Sequence, residues 1–94
     1  ARSKFLFMHY VYVFLSKKDD KLYIGYTNDL ISRIKEHNTG KVLATKSRLP
    51  IKLIYYEAHL DEQEARDREK FLKTGWGRSF ILTKLARTLQ KAKI

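Results

Sequence analysis

Two runs of aromatic and β-branched residues, 9–16 and 21–27, are separated only by Lys17-Lys18-Asp19-Asp20. That spacing constrains the fold more than any other feature of the chain. Residues of this kind favour extended backbone, and so short a polar connection makes an antiparallel hairpin the natural arrangement. With the turn centred on residues 18 and 19, Tyr12 faces Gly25 and Phe14 faces Tyr23. Side chains alternate along a strand, so Tyr12, Tyr23 and Gly25 share one face. Gly25 has no side chain and leaves a notch in front of the Tyr12 ring, where an oxygen-bearing group could approach the hydroxyls. Tyrosines also favour strands for packing alone, and a one-residue slip would part the pair from the notch.

The rest of the chain reads as helices and one more strand. Asn28 can cap a helix over 29–38, with Asp29 near its positive end. Leu30 and Ile34 form its apolar stripe, Ile31 widens it, and Asn38-Thr39-Gly40 stops it. Residues 41–50 read as a basic loop ending at Pro50, and 51–58 as a third strand. Asp61 with Glu64 resembles a capping box that opens a second helix running to about residue 74. Gly75-Trp76-Gly77 breaks it, with Trp76 as a packing anchor. Ile81, Leu82, Leu85 and Leu89 define a third helix over 79–92. The order β-β-α-β-α-α predicts an α+β fold: a small three-stranded, mainly antiparallel sheet flanked by helices. At 94 residues one domain is expected. Met8 is the only methionine, so residues 1–7 read as an arm or remnant ahead of a domain over 8–94.

Charge narrows the function. Lys and Arg number 20 against 10 acids, a formal net charge of +10. Such a chain gains affinity for phosphate-rich partners by releasing counterions, so DNA is the expected partner. Lys41, Lys46 and Arg48 in the basic loop, with Lys84 and Arg87 on the last helix, are the candidate backbone contacts. No apolar run approaches the roughly 20 residues needed to span a bilayer. The cations do not gather on one amphipathic terminal helix, and no membrane partner is expected. Phe5-Leu6-Phe7-Met8 is too short for a signal-peptide core. The absence of cysteine excludes disulfides and thiolate zinc sites; it fits a reducing compartment, and the expected location is cytoplasmic. Six of the ten acids lie in 57–69, which makes that segment the place to look for a metal ligand.

Two further groups carry potential chemistry. Arg33 and His37 are spaced i, i+4 and share a helix face. Arginine offers a planar fork of donors suited to phosphate, and histidine can move protons near neutrality. The bland alternative is a solvated face, but this helix directly follows the strand bearing Tyr23. Ala65, Glu69 and Leu72 fall at i, i+4 and i+7, which sets Glu69 on the inward stripe of its helix. A carboxylate there needs a partner. An arginine would serve, and so would Mg²⁺ or Mn²⁺, which take one or two carboxylates with waters and phosphate. His9 and His59 read as strand-end residues.

Taken together, these residues resemble the GIY-YIG nuclease superfamily. Tyr10-Val11-Tyr12 stands at the first tripeptide and Tyr23-Ile24-Gly25 at the second. The run from Gly25 through Tyr26, Thr27, Asn28, Asp29 and Leu30 fits, as do Arg33 and Glu69. The likeness covers roughly residues 9–80 and is nearest to small stand-alone bacterial members; it is also similar to the N-terminal nuclease domain of the repair protein UvrC. The resemblance implies a small antiparallel sheet flanked by helices. It also implies Mg²⁺- or Mn²⁺-dependent cleavage of DNA phosphodiesters, in repair or recombination. By it, Tyr12 or Tyr23 helps to activate water, Arg33 stabilises phosphate charge, His37 assists proton transfer and Glu69 holds the metal. A free tyrosine has a pKa near 10, so it acts as a base only with help from a neighbouring cation.

The chain departs from the family at two places. Tyr10 replaces the first motif's glycine. The family's asparagine after the glutamate helix has no counterpart beyond Asn38, and Ser79 or Thr83 is the nearest polar substitute. The alternative to a nuclease is therefore a nucleic-acid-binding module with a weak or inactive site. A domain this small could take its target choice from a protein partner or from a homodimer.

Overall fold

The hairpin forms in the expected register. A computed structural model describes residues 7–92; apart from Phe7, the arm expected over residues 1–7 lies outside the described residues. Strand β1 (His9–Ser16) pairs antiparallel with β2 (Leu22–Thr27), Tyr12 opposite Gly25 and Phe14 opposite Tyr23. The turn is set by Ser16. Its Oγ accepts from the backbone N–H groups of Lys18 and Asp19 and donates to the Arg48 carbonyl. Asp20 takes the left-handed backbone conformation, φ 59°, that closes the loop; aspartate tolerates it better than most residues.

Strand β3 (Ile51–His59) completes a fully antiparallel sheet of order β2-β1-β3. A register shift between Val13 and Phe14 interrupts the β1–β3 pairing. His9 and His59 sit at strand ends, opposite one another.

The two faces of β1 are covered differently. Val11, Val13 and Leu15 point to α3 (Glu62–Leu72), α4 (Gly75–Lys84) and α5 (Ala86–Ala92), and pack with Ala65, Leu72, Ile81, Leu85 and Ala92. Fully buried Leu15, Leu72 and Ile81 each contribute about 1.5–3 kcal/mol of hydrophobic stabilisation. Tyr12 and Phe14 point the other way, to a smaller cluster with Ile51 that Leu30 and Ile34 of α1 (Leu30–Asn38) help to cover.

Several local expectations are corrected. Asp29, not Asn28, caps α1: its side chain accepts from the Ser32 N–H, and Asn28 lies one residue too early. Ile31 is exposed, because one turn of Leu30 and Ile34 suffices to cover the sheet there. The segment 41–50 is not all loop; it holds the short helix α2 (Leu43–Lys46). Asp61 does cap α3, accepting from the Glu64 N–H.

The largest difference concerns 75–77. Thr74 caps α4, so both glycines enter the helix and the break falls one residue earlier. A side chain at Gly77 would collide with the Phe71 carbonyl and the Leu72 backbone, so glycine lets α4 close on the end of α3. With Gly77 facing inward, Trp76 points out and is 84% exposed rather than a packing anchor. The single last helix expected over 79–92 is divided at Leu85, whose φ and ψ of −103° and 21° leave the helical region. Ile81 and Leu85 are buried, whereas Leu82 is exposed.

Candidate active site

The edge strand β2, the helix α1 with the α2 segment after it, and the end of α3 enclose a cleft of about 240 Å³. Tyr12, Tyr23, Gly25, Arg33, His37 and Glu69 all line it, so the structure brings together every side chain singled out for chemistry. Gly25 makes room for the Tyr12 ring, which lies over it and fills the expected notch. A Cβ built there would overlap the Tyr12 hydroxyl and come within 2.9 Å of Cε1 of the ring.

Tyr12 is the centre of the arrangement. Arg33 Nε donates to its oxygen at 3.2 Å, and His37 Nε2 lies 3.2 Å from the same oxygen. His37 Nδ1 in turn lies 2.6 Å from Thr45 Oγ1. Phe14 packs edge-on against His37, with centroids 4.6 Å apart, and holds the imidazole from the sheet side. The i, i+4 spacing on α1 delivers both groups to one oxygen, as helix geometry requires.

His37 does not sit on a solvated helix face. It is only 3% exposed. Burial, reinforced by the neighbouring Arg33 charge, pushes its pKa down to about 4, so the imidazole is neutral at pH 7. It then has one N–H and one lone pair. The Tyr12 oxygen already accepts from Arg33, so its own hydrogen needs an acceptor, and Nε2 supplies one. Nδ1–H donates to Thr45. This tautomer is assigned from the network; it directs the remaining Tyr12 lone pair away from Arg33 and His37. The Tyr12 bond is also the main cause that raises the Arg33 pKa, so the guanidinium stays charged.

Glu69 arrives from α3 around the β2 edge. Its side chain is 19% exposed, and Oε2 accepts from Lys73 Nζ at 2.9 Å. The salt-bridging partner is therefore lysine rather than arginine. Glu69 is the single acidic residue lining the cleft among the described residues, and no three His, Cys, Asp or Glu side chains gather there to form a metal cluster. One carboxylate with open space beside it suits a hard divalent cation completed by water and phosphate; it does not suit zinc held by protein alone. The other acids of 57–69 are largely engaged: Glu57 accepts from Arg68 and Tyr55, and Glu62 from Arg66.

The candidate backbone contacts do not join the cleft. Lys41 and Lys46 flank its wall, which Val42, Ala44 and Thr45 form. Arg48 instead pairs with Asp19 at 3.3 Å, pinning the hairpin turn. Lys84 lies over the Tyr55 ring, 5.9 Å from its centroid, and Arg87 is exposed on α5, both on the far helical layer. Ser79 and Thr83 line a separate depression with Trp76, Phe80 and Lys84, so neither stands in for the missing asparagine. Sequence reasoning missed Thr45 and Lys73. Thr45 lies in a segment without periodicity, and only its hydrogen bond to His37 distinguishes it.

The family model of the GIY-YIG catalytic domain matches residues 8–79. The chain belongs to that endonuclease superfamily. It is 46% identical over 67 residues to a UPF0213 protein of Clostridium perfringens, a match that covers 70% of this chain and 71% of the relative. A UPF0213 protein of Bacillus licheniformis is 47% identical over 66 residues, covering 69% and 67%. Among solved structures, the solution NMR structure of a UPF0213 protein from Bacillus halodurans superposes with a TM-score of 0.51 at 33% identity, over 81% of this chain and 83% of that one. No helix among the described residues is long and apolar enough to cross a membrane.

Proposed function

We propose that this GIY-YIG domain is a divalent-metal-dependent endonuclease that hydrolyses DNA phosphodiester bonds, with Tyr12 at the centre of its active site. The observation that carries this reading is the chain Arg33–Tyr12–His37–Thr45 set beside the Glu69 carboxylate in one cleft. Tyr12 donates its hydrogen bond to neutral His37, so its free lone pair can take a proton from an attacking water while the phenolic proton passes to His37 Nε2. General-base assistance of this kind is worth about 10²–10⁴ in rate. Tyr23, on the same face of the hairpin, is the second tyrosine able to contact that water.

Arg33 keeps a third of its side chain exposed while Nε bonds Tyr12. Nη1 lies 3.7 Å from Glu36 Oε2 in a loose, partly exposed pair, weak enough for the outer nitrogens to turn to a non-bridging phosphate oxygen, where charge grows as the bond to phosphorus forms. Glu69 would hold the Mg²⁺ or Mn²⁺ ion. Such an ion supplies Lewis-acid charge at the phosphate and lowers the pKa of bound water. Lys41 and Lys46 on the rim suit contacts to the flanking DNA backbone. Repair or recombination is the setting we assign, on the likeness to UvrC.

A second reading has one observation in its favour. The cleft lacks the amide the family places after α3, and Ser79 and Thr83 are lodged elsewhere. A DNA-binding module with a weak site would result. Nicking of supercoiled plasmid and branched DNA in Mg²⁺ or Mn²⁺ separates the two. The nuclease reading requires cutting by wild type and a loss of at least about 100-fold in Glu69→Ala. Salt-sensitive binding without nicking by either protein would transfer the assignment to the binding module.

A further inference from the structure

Lys73 is the cleft residue that the mechanism above leaves without a role. It follows α3 directly, and its backbone N–H bonds back to Glu69 and Lys70. Thr74 starts the next helix, and Gly77 locks that helix against Phe71 and Leu72. The Lys73 backbone is thus fixed at a helix–helix corner. Its side chain is 54% exposed and rests on Glu69.

The same helix offers a comparison. Glu62 and Arg66 form another i, i+4 pair, with 55% and 48% of their side chains exposed. That pair lies in solvent, where such contacts contribute little. Glu69 is much less exposed, and it lines the cleft together with Lys73. An ammonium at 2.9 Å from Oε2 stands where a cation bound through that oxygen would stand. Two cations cannot share the position, because like charges repel at short range. The flexible lysine stem allows the ammonium to leave without moving the backbone. Arg33 lines the same cleft from α1, so a phosphate held there can meet both cations once Lys73 turns from Glu69.

We propose that Lys73 is an exchangeable counter-ion: it holds the Glu69 carboxylate until a divalent cation takes it, and then serves as a second phosphate-binding cation alongside Arg33. This rests on the reading of Glu69 as the cation-holding carboxylate. It makes Lys73 a competitor for metal and a contributor to DNA affinity, two effects of opposite sign from one side chain.

The test is a Mn²⁺ titration of the metal-free protein, followed by the EPR signal of free Mn²⁺, for wild type, Lys73→Met, Lys70→Met and Glu69→Gln. Lys70, exposed on the same helix, controls for the loss of one positive charge. Lys73→Met should bind Mn²⁺ about three- to ten-fold tighter than Lys70→Met. With Ca²⁺ in place of Mn²⁺, fluorescence anisotropy should show Lys73→Met binding a DNA duplex about three- to ten-fold more weakly than Lys70→Met. Equal Mn²⁺ affinity of the two lysine variants, or weaker binding by Lys73→Met, overturns the proposal and leaves the nuclease reading standing. Equal DNA affinity overturns the phosphate-binding half. Mn²⁺ binding that is absent from wild type, or undiminished in Glu69→Gln, overturns both this proposal and the assignment of the metal to Glu69.

Discussion

The two faces of strand β1 differ in what they bury. Val11, Val13 and Leu15 meet only an apolar layer from α3 to α5. One residue along in each case, Tyr12, Phe14 and Ser16 meet α1, α2 and the loops around them. There Tyr12, Ser16, His37 and Thr45 are all buried polar residues, and each is hydrogen-bonded. The first face needs only volume and hydrophobicity, so it can be filled by many side chains. The second depends on a complete set of partners, since a buried polar group left unpaired costs about 1–3 kcal/mol. Stability therefore rests mainly on one face, and the hydrogen-bonded polar side chains of the cleft lie on the other, with Glu69 reaching the cleft from α3.

The sharpest way to break that division is to damage the apolar face alone. Ile81→Ala, in α4 and away from the cleft lining, should lower stability by about 2–5 kcal/mol, seen as a shift of the urea midpoint. Nicking per folded molecule should stay within about two-fold of wild type, because this cost falls on folding and not on the transition state. A proportionate loss of nicking in the fully folded fraction would show that the two faces are coupled.

The polar face should reveal itself through pH. His37 has a folded pKa of about 4 against an ordinary 6.5. Between those values the unfolded chain binds the proton and the folded one does not. Stability is thus complete above pH 6.5 and declines as pH falls toward 4, by about 3 kcal/mol in all. Subtracting the His37→Gln profile from that of wild type should isolate this slope, free of the carboxylates. A difference that stays flat from pH 6.5 to 4 would mean that the imidazole is not held neutral. Wild-type nicking should likewise keep its rate well below pH 6.5, where a solvent-exposed histidine would already be charged.

A smaller effect is expected at Gly25, where β2 opens the cleft. Gly25→Ala places a methyl on the Tyr12 ring and should cost about 1–3 kcal/mol by overpacking. Its effect on nicking should exceed its effect on the urea midpoint, because Tyr12 must move from between Arg33 and His37. Equal small losses in both would show that the notch is only a packing feature.

Much of this was legible in the sequence because it is local. The four-residue polar connection fixed the hairpin register, and with it the meeting of Tyr12 and Gly25. The i, i+4 step of Arg33 and His37, and the stripe shared by Ala65, Glu69 and Leu72, are single-helix geometry. What stayed hidden depends on tertiary contact. Thr45 carries no periodic signal, and its importance lies in a bond to a histidine eight residues earlier. Arg48 looks like a phosphate contact until the fold brings Asp19 to it. Lys73 reads as one more solvated cation on a charged helix, and only the cleft shows that it faces Glu69. Trp76 has the composition of an anchor, but the inward place goes to Gly77 because the backbones of α3 and α4 approach too closely for a side chain.

Tyr12 is the group toward which the polar face is organised. Single-turnover nicking of supercoiled plasmid by wild type and Tyr12→Phe, with saturating Mg²⁺ or Mn²⁺, tests it most directly. The phenylalanine keeps the ring and removes only the hydroxyl that Arg33 and His37 share. The rate should fall by about 10²–10⁴ while plasmid affinity changes by less than about three-fold, since the hydroxyl is not needed for charge-driven binding. Nicking by Tyr12→Phe at the wild-type rate would contradict the claim.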